Sequence, residues 1–219
     1  MNDLLSFDLP LLGNLKESDI PTPEEYTYWD SRKKRIFFVD YLIDENYDLV
    51  ELGKIITLMN YDEMNIPEEQ LLPIYIFLQT PGGDAYQSNW FCDILISSRI
   101  PIVTVAMGLT FSAGFDILVA GHKRYAFKHS QVMMHAGFVS LQGRQEEVEE
   151  AQKNNKIQIA KTKEYILSRT GIDEKLFNKN KNKDWYFSGE DLVKYHIVDK
   201  LIDNIGEVFD PVRINSSYK

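Results

Sequence analysis

Apolar positions along this chain fall into short runs of two kinds, and the two kinds alternate. RIFFVDYL (35–42), IYIFLQ (74–79), PIVTVAM (101–107), RYAF (124–127) and QVMM (131–134) are dense in β-branched and aromatic residues and read as strands. Between them apolar residues recur at helical spacing around residues 47–59, 85–98, 113–120 and 145–168. Strands that alternate with helices predict an α/β chain. The last and longest helix carries an apolar stripe at Val148, Ala151, Ile159 and Ile166, interrupted by Asn155, with EEVEE and several lysines around it. That pattern is an amphipathic helix lying with one edge on a core. Residues 1–34 contain Pro10, Pro21 and Pro23, followed by Tyr26, Tyr28 and Trp29, and read as an extended or mobile segment. No internal repeat is visible.

Composition narrows the class. With 219 residues and 44% hydrophobic content the chain can bury one sizeable core, so one main domain is expected. A formal net charge of −9 disfavours nucleic acid or an anionic membrane as the main partner. The single cysteine, Cys92, lies in the apolar run SNWFCDILIS and reads as core. No intrachain disulfide can form, which suits a reducing compartment. H-E-x-x-H and paired C-x-x-C motifs are absent, so a metal-dependent hydrolase is not expected. The start, MNDLLSFDLP, is acidic where a secretory signal needs positive charge, and no apolar run reaches the length of a membrane span. A cytoplasmic protein is expected.

The candidate chemistry sits where strands end. PIVTVAM runs into GLTFSAG, which places Ser112 at the start of an apolar helix, where unpaired N–H groups favour an oxyanion. Serine is also a preferred helix N-cap, so this position has a purely structural reading too. TPGGD (80–84) is a glycine turn between a strand and a helix, and it fits neither nucleotide-loop pattern, G-x-G-x-x-G or G-x-x-x-x-G-K-[ST]. QVMMHAG ends a strand at His135, a possible base. His122 and His129 lie in charged turns and read as solvated, whereas His196 reads as the close of a helix. Asp184, between a lysine-rich loop and Trp185-Tyr186-Phe187, could orient a histidine.

Taken in order, these segments resemble the ClpP family, the proteolytic subunits of Clp proteases, from about Arg35 to about Ile205. The match is carried by TPGGD, GLTFSAG and Met133-Met134-His135. It continues through Gly143, the helix from Arg144 to Arg169, Thr170-Gly171, Asp184, Phe187-Ser188 and Glu190-Asp191. The order Ser, His, Asp differs from those of chymotrypsin, subtilisin and the α/β-hydrolases. The resemblance implies a crotonase-like spiral of ββα units with a projecting handle helix, spanning 35–205, after a divergent segment 1–34 that is extended or faces a pore or partner. A C-terminal tail, 206–219, would follow.

It further implies that Ser112 attacks a peptide carbonyl, His135 relays the proton and Asp184 orients His135. The amides of Gly83 and Ala113 would hold the oxyanion. Gly82, Asp84 and the segment Ser140-Leu141-Gln142-Gly143 would flank an extended substrate. The chain would build heptameric rings, two of them stacked through the handle, around a chamber entered by peptides and unfolded proteins. It would need no cofactor of its own, and ATP would be used only by a partner AAA+ unfoldase.

Departures from the family pattern are also present. Thr80 replaces a serine, and Ala113 replaces a bulky methionine, which predicts a wider pocket nearby. Ala136-Gly137 replaces Gln-Pro, and Asn182-Lys183 replaces an acidic residue and an arginine that pair across rings. The stretch from Asn60 to Pro73 is longer than usual. Two other readings stand beside an active endopeptidase: a catalytically silent ring subunit, and a crotonase-like acyl-CoA enzyme.

Overall fold

The computed structural model describes residues 21–44, 48–135 and 142–209. The chain divides into two units, residues 1–35 and 36–219. In the first, residues expected to run extended form helix α1, Pro23–Lys33. Thr22 Oγ1 accepts from the Glu25 N–H at 3.2 Å, and the Glu25 carboxylate accepts from the Thr22 N–H at 2.9 Å. This reciprocal cap, with Pro23 where a helix needs no N–H, offsets the breaker character read from the prolines.

The second unit is built on a seven-stranded sheet. Along the chain come β1 (Ile36–Val39), α2 (Asp48–Asp62), β2 (Ile74–Thr80), α3 (Ala85–Ser97), β3 (Ile102–Phe111), α4 (Ala113–Ala120), β4 (Lys123–Phe127) and β5 (Gln131–Met134). Then follow α5 (Gln145–Arg169), α6 (Glu174–Asn180), β6 (Trp185–Ser188), α7 (Glu190–Lys194) and β7 (Lys200–Ile202). Strands β1, β2, β3, β4 and β7 lie side by side and parallel. Parallel strands covered on both faces need continuous rather than alternating apolar sequence, and Ile74 to Leu78 of β2 are all buried. The expected α/β class is the one observed.

One face of the sheet packs against Leu52 and Ile56 of α2, Phe91 and Leu95 of α3, and Phe115 and Leu118 of α4. The other collects Tyr75, Phe77, Val103, Val105, Tyr125 and Ile202. Val208 joins this second cluster, and Phe209 meets the Tyr75 ring edge-on at 5.0 Å. The chain from 206 therefore begins as packed structure rather than as the expected tail, because two apolar side chains there cover the sheet.

Helix α5 is anchored at one end. Of its 25 residues only Ile166 is buried. Arg169 donates to the carbonyls of Val119, Ala120 and Gly121 at the end of α4, and Tyr165 Oη donates to the backbone oxygen of Asp116 at 2.7 Å. Val148, Ala151, Asn155 and Ile159 are half-buried, as the predicted stripe requires.

Candidate active site

β3 is long enough to serve two neighbours on one edge. Its first half pairs with β4, from Val103↔Lys123 to Ala106↔Ala126; after Gly108, at φ +52°, its second half pairs with β5, ending at Phe111↔Met133. Glycine is suited to the bend because positive φ carries no side-chain penalty there. The fork sets the ends of β3 and β5 side by side, and the Ser112 N–H donates to the Met133 oxygen at 2.8 Å. β6 lies antiparallel on β5 with Met134 opposite Trp185, so the next step along the register puts His135 beside Asp184.

Three separate sequence segments thereby meet. His135 Nε2 lies 2.7 Å from Ser112 Oγ, and His135 Nδ1 lies 3.3 Å from Asp184 Oδ1. His135 keeps 26% of its side chain exposed and Asp184 keeps 53%. With the Asp184 carboxylate beside Nδ1 favouring the proton there, the neutral ring would present Nε2 as an acceptor for the serine hydroxyl.

Ser112 occupies the N-cap position of α4 but makes no capping hydrogen bond. Its backbone sits at φ +55°, ψ −118°, a conformation that costs a non-glycine residue about 1–3 kcal/mol. The strain turns the chain from β3 into α4 without a spacer and leaves Oγ facing the imidazole. Gly82, at φ +92°, makes room for this turn: a β-carbon there would lie 2.5 Å from the Phe111 oxygen and 2.8 Å from Ser112 Cβ. Its N–H donates to Thr80 Oγ1 at 3.1 Å and its oxygen accepts from the Ile43 N–H at 2.9 Å. Thr80 Oγ1 in turn donates to the Tyr41 oxygen at 2.5 Å.

A β-carbon on Gly83 would fall 1.9 Å from the Ile43 oxygen. The N–H groups of Gly83 and Ala113 have no hydrogen-bond partner among the described residues. Of the remaining expected substrate contacts, Asp84 is exposed and caps α3 by accepting from the Gln87 N–H at 2.8 Å. Gln142 and Gly143 are exposed just before α5. Ser140, Leu141, Ala136 and Gly137 lie outside the described residues.

His122, expected to be solvated, is instead half-buried: Nδ1 accepts from the Ile102 N–H at 3.2 Å, and burial lowers its pKa. His129 is exposed. Cys92 is buried, and burial raises its thiol pKa, so it is a poor nucleophile. One group escaped the sequence reading. Asp116, one turn beyond Ser112, is a half-buried carboxyl that burial pushes up to about 7. Its only signal is a lone acid inside the apolar run FDILVAG. Among the described residues no cluster of three or more His, Cys, Asp or Glu could hold a metal, and no helix is long and apolar enough to cross a membrane.

Comparison with known proteins matches residues 32–205 to the Clp protease family model. The chain is similar to the ATP-dependent Clp protease proteolytic subunit 2 of Treponema denticola, at 31% identity over 134 residues, covering 60% of this chain and 67% of the relative. It is also similar to the ATP-dependent Clp protease proteolytic subunit of Deinococcus radiodurans, at 25% identity over 181 residues, covering 80% and 83%.

Proposed function

The chain belongs to the Clp protease family, whose members form oligomeric rings, and on that premise we propose that it is a serine-type endopeptidase subunit using Ser112, His135 and Asp184. The observation that carries this reading is the 2.7 Å contact between Ser112 Oγ and His135 Nε2, made by a serine that gives up helix capping. Ser112 Oγ attacks the scissile carbonyl carbon while its proton passes to Nε2, and the carbonyl π pair moves onto oxygen. The Gly83 and Ala113 N–H groups receive that oxyanion, each worth about 3 kcal/mol to the transition state. Collapse expels the amine, which takes the proton from Nε2 and leaves an ester on Ser112. Water then repeats the sequence, with His135 as base, and releases the carboxylic acid.

Substrates on this reading are peptides and unfolded chains, laid between the loop after Gly83 and residues 140–143. Two stacked heptameric rings would enclose the sites, and an AAA+ partner would supply ATP-driven entry; the relatives' names, which include "ATP-dependent", support that partner. The reaction calls for no cofactor in this chain. A cytoplasmic setting suits its single buried thiol.

The exposure of Asp184 favours one competitor, a ring subunit that assembles without cleaving. An acyl-CoA enzyme would leave the serine–histidine contact without a use. A serine-reactive fluorophosphonate separates the first two. Expected are labelling at Ser112 and hydrolysis of short fluorogenic peptides, both lost in Ser112→Ala, with the rate down by roughly a thousandfold or more. Assembled protein that takes no label overturns the peptidase and leaves the silent subunit.

A further inference from the structure

At the level of Ser112 the strands stand in the order β2, β3, β5, β6. Ser112 closes β3, the Gly82–Gly83 turn that ends β2 lies on one side of it, and His135 at the end of β5 lies on the other. An oxyanion held by the Gly83 N–H is therefore drawn toward β2. The departing amine has to take its proton from His135 Nε2, so it lies toward β5. The surface of β5 and its neighbours next to His135 is then what the residue carrying that amine meets.

Side chains alternate across a strand, so Met133 shares a sheet face with His135, and Tyr186 shares it with Asp184. Phe111 is paired with Met133, and Met133 with Tyr186, which makes one row across three strands. The Phe111 and Tyr186 rings meet edge-on across Met133, with centroids 5.7 Å apart, and Met133 between them is buried. This row lies two residues, about 6.6 Å along the strands, from the row of His135 and Asp184. Thr110, Val132 and Phe187 turn to the opposite face and are buried in the core. On the face of the triad, by contrast, Tyr186 stays 51% exposed, Phe111 is half-buried, and Leu109, one row farther along β3, is exposed. Large apolar side chains thus remain open to solvent beside the nucleophile, on a face where the core of this chain makes no use of them.

We propose that Phe111, Met133 and Tyr186 form a shelf that seats the substrate side chain immediately after the scissile bond, and that the shelf selects a large apolar residue there. The inference rests on the peptidase reading, because the path of the amine displaced from Ser112 is what places that side chain. A phenylalanine or leucine reaches down one row from the α-carbon bearing the amine and takes apolar surface of both partners out of water. Glycine covers nothing, and glutamate brings a second negative charge beside the half-exposed Asp184 carboxylate. Lysine is the informative competitor, since it would prefer the Asp184 carboxylate to the rings.

The test uses the assembled full chain and internally quenched peptides that differ only in the residue after the cleaved bond: Phe, Leu, Gly, Lys or Glu, with the cut located by mass spectrometry. Phe and Leu should exceed Gly in kcat/KM by roughly tenfold, part of what full burial of such a side chain would give, and Glu should fall below Gly. Tyr186→Ala should lower the Phe/Gly ratio by about threefold or more, and Tyr186→Phe should keep it, because the ring and not the hydroxyl makes the shelf. Phe111→Leu, which narrows the shelf from the other side, should also lower the ratio. Any disturbance of the triad acts on both peptides and cancels, so a merely structural role for Tyr186 would leave the ratio where it was. Wild type that labels at Ser112 but favours Gly, Lys or Glu after the bond, or a ratio untouched in both Tyr186→Ala and Phe111→Leu, overturns the inference and leaves the peptidase standing. Wild type that neither labels nor cleaves any peptide removes both.

Discussion

His135 holds its two partners unequally, with Ser112 at 2.7 Å and the half-exposed Asp184 at 3.3 Å. A buried acid in this role supports about 10⁴-fold of kcat, but water screens this one. Asp184→Asn is therefore expected to lower kcat by roughly a hundred- to a thousandfold, less than Ser112→Ala, measured on the same peptide. Asp116 gives a second expectation, this time in stability. Its folded pKa of about 7 lies above the ordinary 3.8, so the native state takes up a proton between those values. Its stability contribution is full below pH 3.8 and lost as the pH rises through 7. Urea unfolding should show Asp116→Asn overtaking wild type across that window, by at most about 1.4 kcal/mol per pH unit, with the gap level above pH 8. Ser112 and His135 were legible in the sequence because each closes a recognisable strand. Asp116 was not, because an isolated acid in an apolar helix carries no periodic mark of being unpaired.

At the scale of elements, the site depends on two narrow turns leaving β2 and β3. Gly82→Ala would press a β-carbon into the Phe111 carbonyl and Ser112 Cβ, so hydrolysis should fall far more than unfolding free energy, which separate kinetic and denaturant measurements would register. Thr80→Val keeps the shape but leaves the Tyr41 oxygen and the Gly82 N–H without their partner. A loss of about 1–3 kcal/mol is expected, while Thr80→Ser should lose little of it. The strands around the site were readable because burial on both faces makes them continuous apolar runs. Helix α1 was hidden by its prolines, and α6 and β7 by shortness, since few residues give no period to read. The pairing of β5 with β6 could not be read locally either, since register between segments about fifty residues apart is settled by tertiary packing. That pairing is what joins His135 to Asp184.

The whole molecule leaves one element unsupported within a single chain. Only Ile166 of α5 is buried, and helices in proteins draw most of their stability from the packing of an apolar edge. The half-buried Val148, Ala151 and Ile159 lie along that edge, ahead of the anchoring residues Tyr165 and Arg169. A second copy is the natural partner for a member of a ring-forming family, whereas Asn182-Lys183 offers none of the acid–arginine pairing expected between rings. Assembly through α5 should therefore be carried by apolar contact and persist at high salt, where surface ion pairs are screened. Native mass spectrometry and sedimentation at micromolar concentration should find ring-sized species in low and high salt alike. Val148→Glu combined with Ile159→Glu should shift them toward smaller forms, with peptide hydrolysis falling in step while Arg169 still anchors the helix end. A wild-type monomer that hydrolyses peptides at full rate would refute the chamber, because access to Ser112 would then be limited by nothing beyond the cleft of one chain.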